Sequence, residues 1–221
     1  MTNTPLADAN TADELVNGWA PLAHEALLRL EGHDACKFLQ GQTTADFGQV
    51  KALDVIPGAF CDVKGRVIAD FRALILDSET IILCVTESLA DLLTAHLTKY
   101  LMFSKAELNR IPEPPWGVVG SEAHHHFDVD QQLSEGNRAA AVPAGWLIPL
   151  GHQTSLLIPE DATQVEINLN NKSIDEFESA WRALACLRGE ARITSSTTGK
   201  YLPQDLSYDL AGWVSFDKGC Y

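Results

Sequence analysis

Close to the C-terminal end of the 221-residue chain, Lys218, Gly219 and Cys220 stand in a row between Phe216 and Tyr221. A cation beside a thiol favours the thiolate, and glycine lets backbone or ligand approach, so the triplet is a candidate activated thiol. The other cysteines, Cys36, Cys61, Cys84 and Cys186, complete an odd total of five without any CxxC pair. A zinc site or a thioredoxin-type dithiol therefore has no sequence support. Cys84, in an apolar run, and Cys186, in a helical pattern, read as small buried residues. His124, His125 and His126 invite a metal. Consecutive residues cannot all face one ion from a regular element, and no acid or cysteine partners them at helical spacing. P-loop, glycine-rich dinucleotide and GxSxG patterns are absent, and no Ser or Cys is placed with a His and an acid.

The formal net charge of −14 and pI near 4.7 describe a surface that repels phosphate backbones, so direct nucleic-acid binding through a basic face is not expected. At 46% hydrophobic and 21% charged residues the composition is that of an ordinary soluble globular protein. The first residues are polar and acidic, without the basic and apolar regions of a signal peptide. No run reaches the roughly 18 apolar residues needed to span a membrane. With an odd set of unpaired cysteines, these features point to a reducing, cytoplasmic setting.

The elements that must position these residues follow from periodicity. Residues 26–30 read as a strand, and Asp34 as the cap of a helix over about 35–39. Gly41 then reads as its C-cap, opening a polar turn. Residues 59–76 predict a β-hairpin turning at 62–65, where Gly65 supplies positive φ. A strand over 80–85 and an amphipathic helix over 87–100 come next, the latter carrying Leu89, Leu92, Leu93, Leu97 and Tyr100 on one face. Strands near 105–110 and 116–120 flank Pro112, Pro114 and Pro115, a joint near 111–116. Two short strands, 145–150 and 154–158, precede a capping box, Ser173 with Glu176, that opens a helix ended by Gly189. Trp181 sits on the apolar face of that helix. Hairpins interleaved with helices make the fold class α+β. Residues 1–20 read as a loose lead-in and 21–221 as the folded domain, with two subdomains about the joint.

Four segments together resemble a known family. Phe38-Leu39-Gln40-Gly41-Gln42-Thr43-Thr44-Ala45-Asp46, Cys61-Asp62-Val63-Lys64-Gly65-Arg66, Lys99-Tyr100 with Phe103-Ser104-Lys105, and Leu202-Pro203-Gln204 with Phe216-Asp217-Lys218-Gly219-Cys220-Tyr221 are similar, in order and spacing, to markers of the YgfZ-type folate-binding proteins. These are relatives of the glycine cleavage T-protein, an aminomethyltransferase. The resemblance implies a T-protein-like folate-binding fold with ferredoxin-like subdomains and, further along such proteins, a C-terminal β-barrel that is absent from this chain. It implies tetrahydrofolate or a folate derivative in a cleft, and support of iron–sulfur enzymes, including those that modify tRNA. By the same resemblance Lys218, Gly219 and Cys220 are the catalytic signature, and Trp181 is a folate-contacting aromatic whose plane suits a pterin or aminobenzoyl ring. Gln40, Gln42 and Asp46 of the first segment, and Asp70 on the strand after the hairpin turn, complete the cofactor-binding set. True aminomethyltransferases carry two acids where this chain has Ala69-Asp70. A single carboxylate cannot divide proton-holding and charge roles, which disfavours glycine-cleavage chemistry. One-carbon transfer and a non-catalytic scaffold stand as the alternatives.

Overall fold

The computed structural model describes residues 16–127 and 137–218. Its contacts divide the chain into two units, each assembled from two separate stretches: unit 1 from residues 1–22 and 115–190, unit 2 from 23–114 and 191–221.

Unit 1 is an antiparallel sheet of five strands. These are β1 (Gly18–Pro21), β7 (Trp116–Val119), β8 (Ala140–Val142), β9 (Gly145–Gly151) and β10 (Thr154–Pro159), in the order β1-β7-β10-β9-β8. The segment expected as lead-in thus contributes a strand, Trp19 pairing with Val118. One sheet face carries a small core of Trp19, Val118, Leu147 and Leu157. The short helix α3 (Ser121–His126) adds Ala123 to it. Helix α4 (Ile174–Leu187) opens with the expected box: the Ser173 amide donates to Glu176 at 2.8 Å, and the Glu176 amide donates back to Ser173 Oγ at 3.2 Å. Gly189 leaves it at φ +70°, a left-handed conformation that suits glycine.

Unit 2 is a second five-stranded antiparallel sheet, made of β2 (Glu25–Glu31), β3 (Val55–Cys61), β4 (Val67–Ile75), β5 (Thr80–Thr86) and β6 (Glu107–Ile111) in the order β3-β4-β5-β2-β6. Alternation sends Phe71, Ala73 and Ile75 of β4, Leu83 and Val85 of β5, and Leu28 and Leu30 of β2 into one core. Helix α1 (Ala35–Gln42) adds Phe38 and Leu39, and α2 (Glu87–Leu101) adds Leu89, Leu93 and Leu97, whereas Leu92 and Tyr100 of the predicted stripe are exposed. The hairpin turns where expected, with Gly65 at φ +76°.

Two local expectations change. Gly41 is not the C-cap of α1; the helix continues through it to Gln42. Thr43 ends it instead, donating both its amide and its hydroxyl, at 3.1 and 2.8 Å, to the Leu39 carbonyl. A threonine that fills an orphan carbonyl with two donors removes the need for a left-handed glycine. Asp34 precedes α1 without a side-chain cap bond, its carboxylate being taken by the Lys105 amide at 2.8 Å.

Candidate functional site

The polar turn that leaves α1 is built by its own side chains. Gln40 Oε1 accepts from the Phe47 amide, and Asp46 Oδ1 from the Gly48 amide at 2.9 Å. Thr44 is buried and links three segments: its hydroxyl accepts from the Ala59 amide at 2.9 Å and donates to the Trp213 carbonyl at 2.7 Å. The Ser215 amide then donates to the Thr44 carbonyl at 2.9 Å. The tail is therefore stitched to the turn across some 170 positions of sequence.

Lys218 completes this stitching. Its ammonium donates to the carbonyls of Gln40, Thr43 and Ala45 at 2.6, 2.5 and 3.1 Å. Burial lowers its pKa from the ordinary lysine value, with the Asp46 carboxylate pulling the other way. Gly219 and Cys220 lie outside the described residues.

Turn, hairpin and tail border one groove of about 910 Å³ within unit 2. Gly41, Gln42 and Thr44 line it from the turn, and Cys61, Asp62, Val63 and Gly65 from the hairpin. Tyr100 with His96 comes from α2, and Leu202, Pro203, Gln204, Val214, Ser215 and Lys218 from the tail. All four segments singled out in the sequence thus meet on a single surface. Val63 at the hairpin tip is fully exposed, while Tyr100 and Leu202 are about two-fifths exposed, giving the groove an apolar rim.

The groove's own thiol is not activated. Burial, and then the neighbouring Asp62 carboxylate, push Cys61 up to about 11. Cys36 and Cys84 are likewise raised, by burial first. Asp62 itself is held low, first by the Arg66 amide, which donates to Oδ1 at 2.9 Å, with the Lys64 amide adding to it.

The remaining sequence candidates lie elsewhere. Asp70, on β4, is 1% exposed and has both oxygens engaged. Oδ1 accepts from Arg192 Nε at 2.5 Å; Oδ2 accepts from the Ile193 amide at 2.5 Å and the Tyr208 hydroxyl at 2.9 Å. Arg192 also holds Glu25, at 2.9 and 3.2 Å. Burial opposes the charge on Arg192, but Glu25 and Asp70 outweigh it and raise the guanidinium pKa further. Asp70 is thereby one carboxylate of a buried ion network, while Ala69 beside it faces the apolar core. Sequence reasoning missed Arg192 and Tyr208 and the pairing of Glu25; charged partners separated by 122 to 167 positions leave no periodic signal.

Trp181 belongs to unit 1 and is 5% exposed. Its ring lies against Gly117, where a Cβ would sit 2.8 Å from Trp181 Cε3. The Arg188 guanidinium lies 5.5 Å from the ring centroid and pairs with Glu190 at 3.0 Å. Arg188 also donates to Thr154 Oγ1 at 2.7 Å, and its side chain is 4% exposed, so the cluster is buried and satisfied within itself. Of the three histidines, His124 bonds the Gly120 carbonyl and Ser155 Oγ, each at 2.7 Å, and His126 stacks on Trp19 at 4.3 Å. Among the described residues no cluster of His, Cys, Asp and Glu could hold a metal ion, and no helix is long and apolar enough to cross a membrane.

No family model matches the chain. Curated relatives do. It is 27% identical over 90% of its length to "tRNA-modifying protein YgfZ" of Colwellia psychrerythraea, covering 63% of that protein. For the protein of the same name in Vibrio atlanticus the figures are 26%, 86% and 58%, and for that in Yersinia pestis 29%, 89% and 61%. The chain spans about three-fifths of the length of these relatives. Among solved structures, glycine cleavage system aminomethyltransferase T from Bartonella henselae superposes with a TM-score of 0.57 at 13% identity, over 83% of this chain and 49% of that one. The fold is T-protein-like, and the likeness to YgfZ proteins extends across nearly the whole chain.

Proposed function

We propose that the chain is the folate-binding portion of a YgfZ-type protein, one that holds tetrahydrofolate and supports iron–sulfur enzymes, tRNA-modifying enzymes among them. The observation that carries this reading is the convergence of the four signature segments, distant in sequence, on one groove in unit 2. Its volume falls within the roughly 300–1,000 Å³ of small-molecule pockets.

The described residues divide the work. Gln42 contacts the ligand from the groove wall. Gln40 and Asp46 act one step back, through the turn amides they hold. Trp181 is carried as the folate-contacting aromatic on the resemblance alone; it belongs to unit 1 and is not among the residues that line the groove. Asp70 keeps Arg192 in place. Cys220 is the functional thiol on the resemblance of its Lys-Gly-Cys-Tyr setting; burial raises Cys61 and Cys84, while Cys186, expected to be buried, is exposed. With a net charge of −14, an effect on tRNA is exerted through the modifying enzyme rather than by contact with the nucleic acid.

Titration with tetrahydrofolate, followed by tryptophan fluorescence and calorimetry, tests the ligand. Saturable binding is expected, and Trp181→Phe should weaken it up to about tenfold through poorer stacking. A chain that shows no saturable binding would refute the folate assignment. For the thiol, Cys220→Ala is introduced into a strain deleted for its own YgfZ-type protein; full restoration of tRNA modification rejects the role.

A further inference from the structure

The ammonium of Lys218 has three hydrogens, and three main-chain oxygens receive them: Gln40 at 2.6 Å, Thr43 at 2.5 Å and Ala45 at 3.1 Å. Gln40 lies in the last turn of α1, where carbonyls lack helical partners and the helix dipole favours a cation. Thr43 and Ala45 follow in the turn. That turn is braced by bonds that do not involve the lysine, from Thr43 to Leu39, from Phe47 to Gln40 and from Ala59 to Thr44. A braced ring of convergent carbonyls is a cation site, and here the cation arrives on a side chain from 178 positions away.

We infer that Lys218 is a positioning residue: a tethered cation seated in a three-carbonyl site at the end of α1, which anchors the tail two residues before Cys220 in the sequence. The tail reaches this point already joined to Thr44 through Trp213 and Ser215, and Lys218 is its last described attachment. The functional consequence rests on the reading of Cys220 as the working thiol; the seating itself does not.

The test is chemical rescue. Lys218→Ala deletes the equivalent of n-propylammonium, which is then added back, with tetramethylammonium at equal ionic strength as the control that cannot donate. Two signals are followed by mass spectrometry: deuterium exchange at the Ser215 amide and the alkylation rate of Cys220 by iodoacetamide. Exchange at Ser215 should accelerate about tenfold, the equivalent of one charge-assisted hydrogen bond. The alkylation rate should depart from that of the parent, and n-propylammonium alone should return both signals to it. Lys218→Arg keeps the charge but presents a planar fork to a convergent site, so it should behave like Lys218→Ala. Restoration of both signals by arginine would overturn the proposal in favour of simple charge, and so would failure of n-propylammonium to slow exchange at Ser215. Should Lys218→Ala not fold alone, the readout becomes a rise of its Tm with n-propylammonium concentration, whose absence is equally fatal. None of these signals involves folate, so the seating of Lys218 and the folate assignment succeed or fail separately.

Discussion

Changing Arg192 to methionine keeps much of the side chain's length and removes the cation between Glu25 and Asp70. The side chains of Arg192, Glu25 and Asp70 are 17%, 8% and 0% exposed, so solvent cannot replace the lost pairing. Breaking a buried ion pair from one side costs about 3–5 kcal/mol, because the surviving charges stay desolvated. For a chain of this size each kcal/mol lowers Tm by about 2–4 °C, which puts the expected loss near 10 °C. Thermal unfolding followed by circular dichroism measures it, and guanidinium titration supplies the free energy. Arg192→Lys should fall between parent and methionine, since an ammonium cannot serve two carboxylates with a planar fork. Adding Glu25→Gln to Arg192→Met should recover part of the loss by removing one of the orphaned charges. The solvent-facing pair of Arg110 with Glu87, 40% and 38% exposed, is the internal comparison, and Arg110→Met should cost under about 1 kcal/mol. If Arg192→Met costs no more than Arg110→Met, the network is not the electrostatic centre of unit 2 and the reasoning fails.

Thr44→Val should destabilise unit 2 by about 2–3 kcal/mol in urea, because the Ala59 amide and Trp213 carbonyl each lose a buried partner. The alkylation rate of Cys61 should climb with pH toward about 11, its thiolate being scarce below that value, and Asp62→Asn should move the profile to lower pH by removing the adjacent negative charge. A profile unchanged by Asp62→Asn would leave burial as the whole cause. Gly117→Ala places a methyl 2.8 Å from the Trp181 ring, and the forced shift should cost about 1–3 kcal/mol and alter tryptophan fluorescence.

Local pattern was enough to find Leu89, Leu93 and Leu97 of the α2 face, though not that Leu92 and Tyr100 lie outside it. It was also enough to find the hairpin about Gly65 and the capping box of α4, because each is written in residues close together. The end of α1 was misplaced for a local reason. Gly41 resembles a C-cap, but Thr43 two residues on satisfies the Leu39 carbonyl twice, and helix ends are decided by such bonds. Helix α3 and strand β8 are too short to show a period, at six and three residues. Of the site, the four segments were legible as a resemblance, while their meeting on one groove was not. The role of Lys218 shows why. In sequence its neighbour is a thiol; in space its neighbours are three carbonyls from the other end of unit 2.

The discontinuity of unit 2 has a consequence for how the protein is made. A ribosome delivers Glu25 and Asp70 early, and Arg192 follows Asp70 only after 122 further residues. At about 5–20 residues per second this leaves an interval of roughly 6–25 s in which both acids exist without Arg192. Over the same period Thr44 has Ala59 but neither Trp213 nor Ser215, and the carbonyl ring at the end of α1 has no lysine. The sheet of unit 2 is complete by Ile111, yet Arg192 joins Glu25 and Asp70 only when the last stretch emerges. Vectorial synthesis thus makes residues 191–218 the closing piece of unit 2, and a nascent chain halted before them leaves Glu25 and Asp70 without Arg192.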